Sequence, residues 1–378
     1  MRITEVETFA LKVPIDDTSA DTGYGVRGPR NTLYSPRRET LLVRVTAEDG
    51  TTGWGEGLAP VAPEVVAGLV DVLLGPVLIG MDATRPRPTR SLLADLMRVR
   101  GHLVGHQADA LAAVDTALWD LAGRIAGCSV AQLLGGAFRT EVPAYVSGVE
   151  GATDDERADQ AREWVTRGAQ AVKLHLGGGV ETDLATVDAV MAAAPSLRVA
   201  VDAHWAYSVT DALRLARGLE ERGGWFLEAP LAPEDLGAHA FLVDHVALPI
   251  AIGEPLRNRY EFAQWLDAPA LRIAQPDCGR TGISETMVIA DLCATRNVPL
   301  APHHSVGLGV AVATGLQVAA AVEQFAVFEY QVATMQVASS ILIDPIRFDP
   351  SGFTLPDGPG LGVEVDVDAV RRLASSSR

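Results

Sequence analysis

Cysteine is scarce and scattered in this chain. Its 378 residues include three, Cys128, Cys278 and Cys293, with no C-x-x-C pair and no even framework. That excludes a disulfide-stapled scaffold and predicts free thiols in a reducing cytoplasm, with Cys278 and Cys293 as core residues. Positive charge is also in deficit. Lys and Arg number 31 against 48 Asp and Glu, a net charge of -17, which argues against a nucleic-acid partner because such a partner needs a basic face. An anionic substrate stays open, since local charge decides that. No apolar run is long enough to span a bilayer, so no membrane partner is expected. The amino terminus Met1-Arg2-Ile3-Thr4-Glu5 alternates like a strand instead of carrying the apolar core of a signal peptide. With 48% hydrophobic and 21% charged residues the composition is that of a soluble globular protein. The length suits one barrel with a smaller companion domain.

What the chain does have is a regular series of chemical groups. His175, Asp202, Glu228, Glu254, Asp277, His303 and Glu329 each close an apolar run, at gaps of 27, 26, 26, 23, 26 and 26 residues. One strand, one helix and two short loops fill such an interval. The spacing therefore predicts a (β/α) barrel with these residues at the carboxyl ends of its parallel strands, the face that carries the active site in this fold.

The rest of the chain divides around that barrel. Residues 1 to about 60 alternate as antiparallel strands, with a turn at Glu48-Asp49-Gly50 and a return strand to Gly53-Trp54-Gly55-Glu56. From about 62 to 134 the period turns helical, most clearly in Leu111, Val114, Leu118, Leu121 and Ile125. The expected organisation is an α+β capping domain over residues 1–134 and a barrel over 135–334. A turn-rich segment, 335–378, returns to the capping domain.

Three carboxylates, Asp202, Glu228 and Glu254, end consecutive strands and should converge on one side of the mouth. They would repel one another in a low-dielectric site unless a cation neutralised them. An all-oxygen set selects a hard divalent ion, magnesium first and manganese second. Alternation along the strand points Lys173 and His175 the same way, into the mouth. Across the ring, Asp277 beside His303 makes a proton-transfer pair. His204 shares the inward face with Asp202 as another acid or substrate contact. Glu329, if protonated, could donate a hydrogen bond to a developing oxyanion. His304, on the opposite face from His303, reads as a structural histidine.

These motifs, with Ala117-Leu118-Trp119-Asp120-Leu121-Ala122-Gly123, Glu228-Ala229-Pro230, Gly253-Glu254-Pro255, Gln275-Pro276-Asp277 and Pro302-His303, resemble the enolase superfamily and its mandelate racemase branch over essentially the whole chain. The resemblance implies a modified (β/α)₇β barrel under an α+β cap, with Mg²⁺ on Asp202, Glu228 and Glu254. It further implies removal of a proton α to a carboxylate, a chemistry for which a lysine or histidine base with magnesium is a known pattern in this superfamily. The loop bearing Tyr24, Arg27 and Arg30 corresponds to the capping loop that closes on substrate, and its arginines suit a polyhydroxylated or second carboxylate end. A homo-oligomer, from dimer to octamer, is favoured.

Two positions depart from the branch pattern. His175 stands where a second lysine is usual, and His204 where asparagine is frequent. A histidine two residues beyond the metal aspartate resembles the acid-sugar dehydratases, and the run of motifs also resembles the galactarolactone cycloisomerase type. The resulting expectation is a magnesium-dependent dehydratase of an aldonate or aldarate, giving a 2-keto-3-deoxy acid. A racemase, epimerase or lactone cycloisomerase on the same scaffold is the alternative, and a non-catalytic ligand-binding barrel the remote one. Neighbouring cations should keep His175 neutral and able to accept a proton. Asp277 should raise His303 so that it can donate one.

Overall fold

A computed structural model describes residues 1–15, 23–28 and 31–376. Strand β1 (Ile3–Pro14) begins the chain, followed by a small hairpin of β2 (Gly25–Arg27) and β3 (Thr32–Tyr34). Strands β4 (Arg37–Ala47) and β5 (Thr52–Gly57) complete a three-stranded antiparallel sheet in the order β1-β4-β5. The turn between β4 and β5 is closed by the Gly50 amide donating to the Ala47 carbonyl, with Gly50 at φ +86°.

The helix Gly105–Ala126 packs directly on β5, and the alternating glycines of Gly53-Trp54-Gly55-Glu56-Gly57 explain how closely. A Cβ at Gly55 would sit 1.9 Å from the Ala113 carbonyl oxygen, and one at Gly53 2.4 Å from that of Ala117. Not one methyl can be added on that face without moving backbone. The period-3.6 residues Leu111, Val114, Leu118 and Leu121 are buried there with Leu41, Val43 and Val45 of β4. Burying each such side chain stabilises by roughly 1.5–3 kcal/mol.

The opposite face of β5 turns to the barrel. Glu56 is fully buried, and its carboxylate accepts from the amides of Leu308 (2.5 Å) and Ala311 (2.8 Å) at the start of helix Gly309–Ala321. A capping-domain side chain thus satisfies orphan donors of a barrel helix and ties the two units together.

Six parallel strands follow, β6 (Glu141–Ser147), β7 (Ala171–His175), β8 (Arg198–Asp202), β9 (Leu227–Glu228), β10 (Ile250–Ile252) and β11 (Ile273–Ala274), each paired with the next. The seventh position is a run of single bridges through Leu300 and His303. Strand β12 (Phe328–Gln331) pairs in parallel with β6 and closes the barrel. The chain therefore forms a (β/α)₇β-type barrel under an α+β cap. One residue at or beside each strand position, Tyr145, Ala171, Ala200, Phe226, Ala251, Ile273, Ala301 and Val327, builds a closed apolar layer inside it.

Beyond the barrel the chain does not simply return to the cap. Strands β13 (Phe348–Asp349) and β14 (Gly352–Thr354) form a hairpin whose β14 pairs antiparallel with β6. Only later does helix Val367–Ser376 reach β1. The segment expected to pack on the amino-terminal domain therefore serves both units. Aromatic stacking holds the hairpin: Phe348 lies 3.6 Å from Tyr330, centroid to centroid. Among the described residues no helix is long and apolar enough to cross a membrane.

Candidate active site

Side chains of a strand repeat on one face every second residue. Two residues beyond the apolar layer, the inward position therefore falls on Ser147, Lys173, Asp202, Glu228, Gly253, Gln275, His303 and Glu329. Apart from the glycine these form a buried polar ring. At the fifth strand no Cβ fits, since one on Gly253 would lie 2.4 Å from the Gln275 carbonyl carbon. Glu254 follows it and brings its carboxylate to the ring from one residue further on.

Lys173 sits at the centre. Its Nζ lies 2.8 Å from Glu228 Oε2, 3.0 Å from Glu329 Oε1 and 3.9 Å from Asp202 Oδ2, with the side chain 1% exposed. Burial works against its charge, but Glu228 and Glu329 outweigh that and hold its pKa well above the usual lysine range. Glu329, expected to donate a hydrogen bond if protonated, is held ionised instead. Burial opposes this, but Lys173 draws its pKa down to about 2.

Glu228 Oε2 accepts from Lys173 and from Gln275 Nε2 at 2.7 Å. Burial raises its pKa to about 7, and Oε1 is buried with no hydrogen-bond partner. An unsatisfied buried carboxylate oxygen among other acids is what a hard cation would complete. Ligand atoms of Glu228, Glu254 and His303 all lie within 4.8 Å of one another. Asp202 falls outside that trio, because its Oδ2 is turned toward Lys173, His175 (3.9 Å) and His204 (4.0 Å). The expected set of Asp202, Glu228 and Glu254 is thus brought to one mouth, with His303 rather than Asp202 completing the tight group.

The two histidines facing each other across the ring have opposite environments. His303 Nδ1 is 2.7 Å from Asp277 Oδ2 and Nε2 is 3.0 Å from Glu254 Oε2. Burial lowers its basicity, yet hydrogen bonds to Asp277 and Glu254 outweigh burial and raise its pKa well above the ordinary imidazole value. Asp277 does not end a strand. It caps the helix Cys278–Ala294, its Oδ1 accepting from the Gly279 amide at 2.7 Å, which leaves Oδ2 aimed at His303.

His175 Nε2 is 3.2 Å from Ser147 Oγ. Its pKa is lowered, mainly by burial among dense protein, with Asp202 opposing and the Lys173 charge adding to the lowering. The sign is the one expected from neighbouring cations, but burial is the larger cause. One third of the side chain still reaches open space, a cavity of about 570 Å³ bordered by Glu150, Gly151 and Arg157.

His204 and Trp205 follow Asp202 with φ of +50° and +62°, and Ala229 follows Glu228 at +47°. Backbone strain of this kind clusters at functional sites. Here it turns the His204 ring to the cap, where Nε2 is 2.7 Å from the Tyr34 hydroxyl. The same turn lets Trp205 Nε1 donate to Glu254 Oε1 at 2.9 Å. His204 has a raised pKa, chiefly from the Asp202 carboxylate beside its ring. His304 is buried against Phe328 and burial lowers its pKa to about 4.

Of the expected substrate loop, Tyr24 donates to Glu39 Oε2 at 3.0 Å and accepts from the Ala62 amide at 3.1 Å, so its hydroxyl is engaged within the cap. Arg27 lies on β2 opposite Thr32, and Arg30 is outside the described residues. Tyr34, Ser147, Trp205 and Gln275 are site residues that spacing of ionisable groups passes over. The inward-face rule, applied strand by strand, finds Ser147 and Gln275. Tyr34 comes from the cap hairpin and Trp205 from the loop after β8, and neither carries a periodic signal.

A parallel barrel whose mouth gathers carboxylates, a lysine and facing histidines beneath an α+β cap matches known proteins along nearly its full length. Residues 32–135 match the family model for the mandelate racemase / muconate lactonizing enzyme N-terminal domain, and 156–370 the enolase C-terminal domain-like model. The chain belongs to the enolase superfamily, in its mandelate racemase / muconate lactonizing branch. Within it, the chain is 35% identical to the D-galactarolactone cycloisomerase of Agrobacterium fabrum, an alignment covering 98% of each. It is 31% identical to the arabinonate dehydratase of Saccharolobus solfataricus over 86% of this chain and 88% of that protein. The solved structure of the 3,6-anhydro-D-galactonate cycloisomerase from Zobellia galactanivorans superposes with a TM-score of 0.87 at 27% identity, covering 99% of both chains.

Proposed function

We propose that this protein removes the proton α to the carboxylate of a sugar acid and expels an oxygen from the adjacent carbon, leaving a 2-keto-3-deoxy acid. The observation that carries this reading is the pair of histidines at the mouth in unlike settings, His175 with Nε2 3.2 Å from the Ser147 hydroxyl and His303 between Asp277 at 2.7 Å and Glu254 at 3.0 Å. Elimination needs one group to accept a proton and another to deliver one.

In this reading the His175 imidazole accepts the α-proton on the nitrogen left free when Nε2–H donates to the Ser147 hydroxyl, which orients the ring. His303, aligned by Asp277, delivers a proton to the departing oxygen. His204 and Tyr34 meet over the mouth and can bind substrate hydroxyls or assist departure. Lys173, locked between Glu228 and Glu329, adds positive charge beneath the substrate carboxylate instead of acting as a free base. Asp202, Glu228 and Glu254 would hold Mg²⁺, with Mn²⁺ as a substitute. The unpartnered Glu228 Oε1 fits that role. The ion, when bound, supplies fixed positive charge where the substrate carboxylate becomes more negative.

Expelling hydroxide from a linear aldonate or aldarate is dehydration. Expelling the ring oxygen of a lactone is cycloisomerisation, and the 98% two-way coverage with a lactone cycloisomerase supports this as the second reading. Both begin with the same proton transfer. A screen of linear acid sugars and their lactones with Mg²⁺, reading keto product with semicarbazide and its mass, separates them. Dehydration removes one water from the mass and ring opening leaves it unchanged. Glu228→Gln is expected to abolish turnover with the circular dichroism spectrum intact. Full activity in the metal-stripped, folded enzyme would contradict the magnesium assignment.

A further inference from the structure

Beside the barrel mouth, a cavity of about 250 Å³ opens between the helix Pro86–Arg98 of the cap and the barrel segments that follow Glu254 and Asp277. Six arginines line it: Arg87, Arg90, Arg98, Arg257, Arg259 and Arg280. In a chain with a net charge of -17, this is a local inversion of sign.

The acids around the cavity do not balance it. Arg90 and Arg259 share one carboxylate, Glu285, at 2.8 and 2.7 Å. Arg257 and Arg280 share Asp109, at 3.1 and 3.7 Å. Arg98 pairs with Asp95 at 2.6 Å, both exposed. Asp115 is taken by the hydroxyl and amide of Ser284, and Glu261 by the Arg257 amide and the Asn258 side chain. The Arg87 guanidinium forms no hydrogen bond or ion pair among the described residues. The Nε atoms of Arg90 and Arg280 are buried with no hydrogen-bond partner.

We infer that this cavity is a second binding site, for a small oxyanion of the phosphate or polycarboxylate type. The guanidinium fork matches such oxygens two at a time, and a cleft between two units is a common place for a ligand. Arg257 lies three residues after Glu254 and Arg280 three after Asp277, so an anion held here braces the two segments that carry those acids. This inference concerns binding and does not depend on which reaction occurs at the mouth.

Isothermal titration of the full-length, Mg²⁺-loaded protein with inorganic phosphate tests it, with parallel titrations of a sugar phosphate and a linear dicarboxylate to identify the better source. Saturable one-site binding below about 1 mM is expected. Arg87→Gln/Arg98→Gln, which leaves the buried pairs intact, is expected to weaken it at least about tenfold, while Lys173→Met at the mouth leaves it unchanged. Binding lost in Lys173→Met but kept in the arginine variant would overturn the proposal by placing the anion at the barrel mouth. So would absence of saturation by about 10 mM, or an arginine variant that changes only the oligomeric mass, which would make the cavity an interface between copies.

Discussion

His175 and His303 face each other across one barrel mouth, His303 buried and His175 one third open, and their proton affinities move in opposite directions. Burial lowers both. What separates them is partners: His175 touches a neutral hydroxyl, Ser147, whereas His303 is held between two carboxylates, Asp277 and Glu254. Desolvation sets a common penalty and hydrogen-bonded charge decides which imidazole overcomes it. Two copies of one residue type can therefore serve as acceptor and donor at one pH.

Removing either histidine should have the largest effect. His175→Asn and His303→Asn are each expected to lower kcat for keto-acid formation by on the order of a hundredfold to ten-thousandfold, measured with semicarbazide. A loss below about tenfold for either would remove it from the acid/base pair.

The pH profile sharpens the contrast without mutation. His175 must be neutral, so activity should fall on acidification only below the ordinary imidazole value near ~6.5, because its pKa is lowered. His303 must be protonated, so activity should fall on the alkaline side only well above that value, because its pKa is raised. A kcat/KM plateau spanning neutrality is expected. A profile that climbs steadily from neutral to alkaline pH would mean that His303 has to lose its proton before turnover.

Smaller effects should follow from the partners. Asp277→Asn keeps the imidazole but removes a carboxylate from it, so the alkaline limb should move toward neutrality and kcat should fall less than in His303→Asn. Ser147→Ala should cost the least, a few-fold in kcat, because His175 loses an orienting contact and keeps its burial. A larger loss in Ser147→Ala than in Asp277→Asn would reverse the account of which partner matters.

Much of this was legible in the chain before any coordinates. Regular recurrence of ionisable residues after apolar runs marks the barrel and puts Lys173, His175, Asp202, Glu228, Glu254, Asp277, His303 and Glu329 at one mouth. The glycines of β5 were visible as a motif, but only the approach of helix Gly105–Ala126 shows why no side chain is tolerated there. Tertiary effects were not legible. A ring position at Gly253 moves Glu254 one residue along its strand, and Asp277 acts from a helix cap. Lys173 keeps Glu329 ionised, an outcome that depends on their 3.0 Å approach and not on either residue type. Tyr34 meets His204 only because a cap hairpin folds over the barrel.

The central claim, that His175 takes the α-proton and His303 delivers one to the leaving oxygen, is tested most directly by solvent deuterium exchange. Each asparagine variant is incubated with substrate and Mg²⁺ in deuterated water, and recovered substrate is examined for label at the α-carbon. The account predicts label in substrate recovered from His303→Asn, whose keto-acid formation is slowed, and none from His175→Asn. Label from His175→Asn with none from His303→Asn would make His303 the base and contradict the account.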